Sequence, residues 1–161
     1  MKKYLAPLLL LICLSSCQED VRFNNPSFQG LKDNVFWRAI QSQATIDANG
    51  AVVVKAYTSN EVVTLKMTST TAQVYPIGTS DSKTATYVLT DASGTLTFTS
   101  GTGIGNGQIV ITEYDAVNNT ISGTFKFNLE NVNNNPLGGT TLNFQQGVFY
   151  KVPIVAATVL N

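Results

Sequence analysis

Apolar residues that alternate one for one with polar residues, cut at short intervals by Asn, Asp and Gly, limit this chain more than any other feature. Phe125, Phe127 and Leu129 alternate with Thr124, Lys126 and Asn128. Val63, Leu65 and Met67 alternate with Val62, Thr64 and Lys66, and Leu96 and Phe98 sit between Thr95, Thr97 and Thr99. Val148, Tyr150 and Val152 share a face opposite Phe149 and Lys151. A period of two places successive side chains on opposite faces of a strand, so each run predicts a pleated surface with one apolar face. Val, Thr, Ile and aromatic residues dominate these runs, as such surfaces favour.

Turn signals separate the runs: Asp47-Ala48-Asn49-Gly50, Thr58-Ser59-Asn60, Asp91-Ala92-Ser93-Gly94, Asp115 to Asn119, and Gln145-Gln146-Gly147. Asn, Asp and Gly tolerate positive φ and make local side-chain bonds, which hairpin turns require. Strands are predicted near 35–40, 42–47, 51–57, 61–67, 83–90, 95–99, 107–114, 120–129, 140–145 and 147–153. The Thr-Ser run from Thr68 to Thr71 reads as one irregular turn, and no segment carries a helical period. The expected domain is all-β, an antiparallel meander of about ten short strands. It forms a β-sandwich or flattened barrel with a filled interior, with a lipocalin-like up-and-down barrel as the alternative. After Pro153, the apolar segment Ile154 to Leu160 is expected to add an edge strand or pack across one end.

Composition excludes several classes of chemistry. The chain has 161 residues and no His, so it holds no Ser-His-Asp triad, no His-ligated metal and no imidazole proton shuttle. Charged residues make up 12%, about half the usual ~25% of soluble domains, which excludes disorder driven by charge. The formal net charge is zero and there is no basic block, so no nucleic-acid partner is expected. No cofactor and no metal site is expected either.

The N-terminus has its own pattern. Lys2 and Lys3 precede an apolar stretch from Tyr4 to Leu14, followed by Leu14-Ser15-Ser16-Cys17. A positive start, a short apolar core and small residues before a cut site read as a secretory signal. The stretch falls short of the ~20 apolar residues that span a bilayer. The Leu-Ser-Ser-Cys run resembles the lipobox of bacterial lipoproteins, a family in which diacylglycerol is joined to the cysteine sulfur and the signal is cut just before it. That resemblance implies lipidation of Cys17, with residues 1–16 as signal peptide, 17–33 as lipidated N-terminus and tether, and 34–161 as a single β domain. The diacylglyceryl group brings two acyl chains where one gives only marginal binding, so the implied membrane partner is held through lipid alone. Cys13 would leave with the signal and Cys17 be consumed by lipid, so the mature domain would have no disulfide. Loss of Lys2 and Lys3 would leave eight bases against ten acids. Gln18-Glu19-Asp20 resembles the surface-export signal of lipoproteins from Bacteroidota, with a merely soluble tether as the other reading. Outer-membrane anchoring is expected, with the periplasmic and surface faces both open.

Three further segments carry a wider resemblance: Ile109 to Asp115, Ile121 to Phe127, and Gln146-Gly147-Val148-Phe149 closing with Val152-Pro153. With the lipobox and an early aromatic strand bearing Trp37, they resemble a family of small uncharacterised all-β lipoproteins from Bacteroidota. The resemblance implies location and fold and assigns no functional residue.

Candidate sites are few. Glu113 and Asp115 are two apart on a strand and project from one face. Paired carboxylates can hydrolyse a glycan at separations of ~5–9 Å, although Asp115 also opens a turn. Ser80-Asp81-Ser82-Lys83 has the Ser-x-x-Lys spacing of some acyl-transfer enzymes, but the following residues read as strand and not helix. Gly101, Gly103, Gly105 and Gly107 precede a strand, which does not suit a dinucleotide cradle. Asp47-Ala48-Asn49-Gly50 lacks the further acids of a calcium loop and reads as a turn. Asn131 to Asn135, Pro136 and Gly138-Gly139 form a polar loop suited to a variable contact surface. Trp37, beside Phe36 and Ile40, reads as core; an exposed ring would instead suit sugar stacking. The expected role is non-enzymatic binding at the cell envelope, with an envelope protein or a glycan as partner. A small envelope glycan hydrolase and a barrel-type carrier of a small apolar ligand are the alternatives.

Overall fold

The computed structural model describes residues 27–133, 135–136 and 138–156; residues 1–26, with the expected signal and Cys17, and residues 157–161 lie outside them. Among the described residues there is no helix, and the strands form one antiparallel sheet curled into a flattened barrel. In chain order they are β1 (Ser27–Lys32), β2 (Val35–Arg38), β3 (Gln41–Ile46), β4 (Val52–Tyr57), β5 (Glu61–Met67) and β6 (Val74–Ile77). They continue as β7 (Thr84–Asp91), β8 (Gly94–Thr99), β9 (Asn106–Asp115), β10 (Thr120–Asn131) and β11 (Thr141–Pro153). The neighbours run β2-β1-β11-β10-β8-β7-β5-β4-β3, and β9 fills the space beside the first part of β10 with β6 on its far side.

The curl brings the last strand of that order back to the tail of β11. Ala44 of β3 bridges Ile154 in parallel, and Ala44 O accepts a hydrogen bond from Val155 N. Of the expected apolar tail only residues 154–156 are described, and there Ile154 and Val155 pair along the edge of β3. The barrel has two ends. Near Ser27 lie Tyr150, the β9–β10 turn and the junction after β2; at the opposite end lie Lys32, Asn106, Glu130 and Thr141.

Four local expectations differ from the structure. Residues 27–32, expected within the tether, form β1 between β2 and β11. Only Phe28 marks its inner face with a large side chain, because the next inward position, Gly30, packs against the backbone of Gly147. The strand β6 escapes a search for alternation because it is four residues long and contains Pro76, tolerated at the sheet edge. The expected turn at Gln145-Gln146-Gly147 is a bulge within one long strand: Gln146 takes a φ of 50° and kinks β11 without reversing it. A second irregularity, with Lys151 at a φ of 48°, lets Phe149 and Val152 both point inward while Val148 and Tyr150 face solvent. Val148 and Tyr150 therefore share a face opposite Phe149 as expected, but Val152 departs from it and joins Phe149 on the inner side.

The interior is filled by rings. Phe28 packs on Phe125 at 4.8 Å between centroids, Phe125 on Phe127 at 5.4 Å, and Phe127 on Phe144 at 5.4 Å. Two glycines make room for them. A Cβ on Gly123 would lie 2.3 Å from the Phe149 ring and one on Gly147 would lie 2.4 Å from the Phe125 ring. Each glycine is directly opposite its aromatic across the β10–β11 pair, so the ring lies over bare backbone.

Candidate functional site

Most of the polar organisation gathers toward the end of the barrel opposite Ser27. Glu61 opens β5 after the turn Thr58-Ser59-Asn60, and its backbone N donates to Thr58 Oγ1 at 3.0 Å. Its carboxylate points between opposed walls of the curled sheet. Oε1 accepts from Lys32 Nζ of β1 and from the Tyr87 hydroxyl of β7 at 2.5 Å. Oε2 accepts from Trp37 Nε1 of β2 at 2.7 Å and from Thr58 Oγ1 at 3.1 Å. Lys32 also donates to the Tyr87 hydroxyl at 3.0 Å and lies 4.9 Å from the centre of its ring.

Burial acts to raise the Glu61 carboxyl, but the donors Lys32, Tyr87 and Trp37 and the Lys32 charge outweigh it and hold it below the usual carboxylate value. Burial, then the bond to Glu61, pushes the Tyr87 phenol well above its ordinary range. A carboxylate offers about four acceptor positions, and here four donors occupy them. The arrangement is suited to holding walls together. It leaves no lone pair aimed at a substrate.

A second polar construction lies outside the sheet at the same end. Asn106, Asn128 and Asn143 stand side by side on β9, β10 and β11. Asn143 Nδ2 donates to Asn128 Oδ1 at 2.6 Å, and Asn128 Nδ2 donates to Asn106 Oδ1 at 3.0 Å. The β1–β2 turn extends the line, since Asp33 Oδ1 accepts from Asn143 N at 2.9 Å. Beside this ladder runs a concavity of about 360 Å³, walled by the ladder, Lys126, Gln145 and Gln146. Its floor is the strand backbone, because the side chains of Phe127 and Phe144 are buried on the opposite face. Gly107 closes one side: a Cβ there would come within 2.3 Å of Lys126 O.

The loop after β10 adjoins this region, with residues 134 and 137 outside the described ones. Asn131 Nδ2 donates to Asn135 O and Gly139 O, each at 3.1 Å, and so pins the loop across its base. Under it lies a concavity of about 400 Å³.

The residues singled out in the sequence fare differently. Trp37 is 6% exposed, so its ring belongs to the core and is closed to a sugar, while its indole N–H ties the wall to Glu61. Asp115 Oδ1 accepts from Val117 N and Asn118 N at 3.0 Å and Oδ2 accepts from Asn118 Nδ2 at 2.7 Å. These bonds, led by the Asn118 side chain, hold its carboxyl below the usual value, as a turn cap does. Glu113 is exposed, and neither acid lines the two concavities above. Ser80 Oγ bonds Ser82 Oγ at 2.7 Å, and Thr84 after Lys83 begins β7. Asp47 Oδ1 accepts from Asn49 N and Ala51 N, forming the β3–β4 turn. Cys17 lies outside the described residues. Among those described, no three Asp, Glu, Cys or His side chains gather as metal ligands, and no helix is long and apolar enough to cross a membrane.

Sequence reading missed Glu61, Lys32 and the ladder. Glu61 is 29 residues from Lys32 and 26 from Tyr87, so the cluster exists only through strand register. The one local hint is Thr58, three residues before an acid at a strand start.

The class is now defined: an antiparallel, all-β flattened barrel with a carboxylate clamp inside one end and an amide ladder outside it. The family model described as Domain of unknown function (DUF6252) matches residues 24–153, and the chain belongs to that family. Neither the curated proteins nor the solved structures give a match.

Proposed function

We propose that the chain is a lipoprotein anchored in the outer membrane through Cys17, and that its β domain binds a glycan of the envelope without catalysing a reaction. The observation that carries the binding half is the groove beside Asn106, Asn128 and Asn143. Neutral side-chain amides present a donor and an acceptor a fixed distance apart, which suits pairs of sugar hydroxyls. Hydrogen bonds between the amides hold them in place before a ligand arrives, which lowers the ordering cost of binding. Lys126 and Gln145 add longer donors to the wall. The lipobox residues support the anchoring half, and the acyl chains supply the membrane affinity.

Two measurements test the reading. Labelled palmitate should enter the native protein and be absent from Cys17→Ser, which should leave the membrane fraction. A panel of neutral oligosaccharides titrated against the protein should shift the amide signals of Asn106, Asn128 and Asn143. Palmitate incorporation that survives Cys17→Ser overturns the anchor; ladder signals unmoved by every sugar overturn the glycan assignment.

A further inference from the structure

We infer that the end of the barrel where the chain enters, at Ser27, rests on the lipid surface and inserts the β9–β10 turn into its headgroup layer. The inference builds on the reading that Cys17 carries lipid. Val117 at the tip of that turn is 89% exposed, because the Asp115 side chain folds back onto the Val117 and Asn118 backbone and leaves the apolar residue outermost. Ile40, in the junction after β2, is 80% exposed on the flank above this rim, where its N–H donates to Tyr57 O. Tyr114 and Tyr150 are partly exposed beside them, and Lys151 lies 5.5 Å from the Tyr150 ring. Arg38 pairs with Gln29 near the start of β1. Apolar tips, tyrosines and cations in one rim match a bilayer interface, where hydrocarbon, ring and headgroup phosphate lie at successive depths.

The opposite end also exposes apolar side chains, Val35, Phe36 and Val132. The length of the link decides between the ends. Nine residues separate Cys17 from Ser27, and the ten steps between them reach about 33–36 Å when fully extended. β10, twelve residues long, measures about 40 Å along its path and about 30 Å along the axis at an ordinary barrel tilt. Ser27 stands opposite Tyr150, near the level of Ser122, so placing the far end on the membrane would lift it by about 23 Å, beyond the relaxed reach of about 17 Å for a link of this length. With the Ser27 end down no such extension is required, and the amide groove faces away from the bilayer.

The test compares two valines of one barrel. The lipidated full-length chain carrying Val117→Cys or Val132→Cys is labelled with an environment-sensitive fluorophore and reconstituted into phosphatidylethanolamine–phosphatidylglycerol vesicles that contain nitroxide-labelled lipid. Trp37 fluorescence confirms that each variant is folded. The label at 117 should shift to the blue and be quenched to a small fraction of its emission, while the label at 132 keeps nearly all of it. Flotation with the vesicles but no quenching at 117 overturns the inference and leaves the anchor standing, and so does quenching at 132 alone. Self-quenching between labels at 117, independent of nitroxide, would show the rim meeting a second copy and also overturn it. A chain that fails to float overturns the anchor reading and the inference with it.

Discussion

The two ends of this barrel are held by different physics. Toward Ser27 the sheet closes by packing: Gly123 lies under the Phe149 ring, and Ile121 and Val152 face each other across β10 and β11. Toward Lys32 it closes around one carboxylate, with β1, β2, β5 and β7 meeting at Glu61. Packing is insensitive to pH and salt and intolerant of volume. A charge-assisted cluster tolerates small shifts of shape but depends on protonation and on every donor having its acceptor. One end is therefore built to be rigid under all conditions, and the other can be weakened selectively.

The largest expected effect breaks the packed half. Gly123→Ala would put a methyl 2.1 Å from Val110 O as well as against Phe149, and should cost about 3 kcal/mol at every pH, read from urea unfolding. An unchanged midpoint would show that β10 can shift and that the glycine is not needed.

Next comes the clamp. Glu61→Ala leaves the Trp37, Tyr87 and Lys32 donors without their common acceptor and should cost about 2–3 kcal/mol. Trp37 is the only tryptophan, so its emission should change in the folded state as well as on unfolding. Retained emission and stability together would mean that the cluster contributes nothing.

The third prediction separates the ends by pH. The Glu61 carboxyl sits below its unfolded value, so its contribution is complete above about pH 4.3 and fades as pH falls through the lower folded value. Tyr87 behaves oppositely: its phenol is raised, so stability is retained below about pH 10 and declines as alkali rises beyond that. Stability curves of the native chain should bend at both extremes, and Glu61→Gln should flatten the acid limb while softening the alkaline one, where burial of Tyr87 remains the larger cause. An acid limb identical in Glu61→Gln would assign it to other carboxylates.

Smaller effects belong to the outer surfaces. Asn128→Ala interrupts the ladder at its centre and should reduce stability by no more than about 1 kcal/mol, while abolishing the oligosaccharide shifts at Asn106 and Asn143. Val117→Asp should leave stability within about 0.5 kcal/mol, since the side chain is in solvent. A large loss of stability from Val117→Asp would show that the turn is structural.

The sequence made one of these ends more readable than the other. Alternation in Thr124 to Leu129 and Val62 to Met67 follows from strand geometry alone, so β5 and β10 were legible together with the all-β class. The turn at Asp115 to Asn119 was legible for the same local reason. Trp37 could be recognised as core, but not as a donor, because Glu61 reaches it only after β1, β2 and β5 have curled together. Lys32 stood in a segment without periodicity, where Gly30 had replaced the inward apolar residue. Both irregularities of β11 defeated local reading, since a strand that bulges at Gln146 and a hairpin that turns there begin with the same residues. Where long-range register creates the structure, a single sequence carries little trace of it.

The first strand of the barrel is hydrogen-bonded to the last, with Ser27 opposite Tyr150. The β1–β2 hairpin alone is too small to persist, so β1 gains its lasting partner only after β11, more than a hundred residues later, has been made. The first strand to be synthesised is thereby among the last to be fixed, and the edge it completes stays open through most of the chain's assembly.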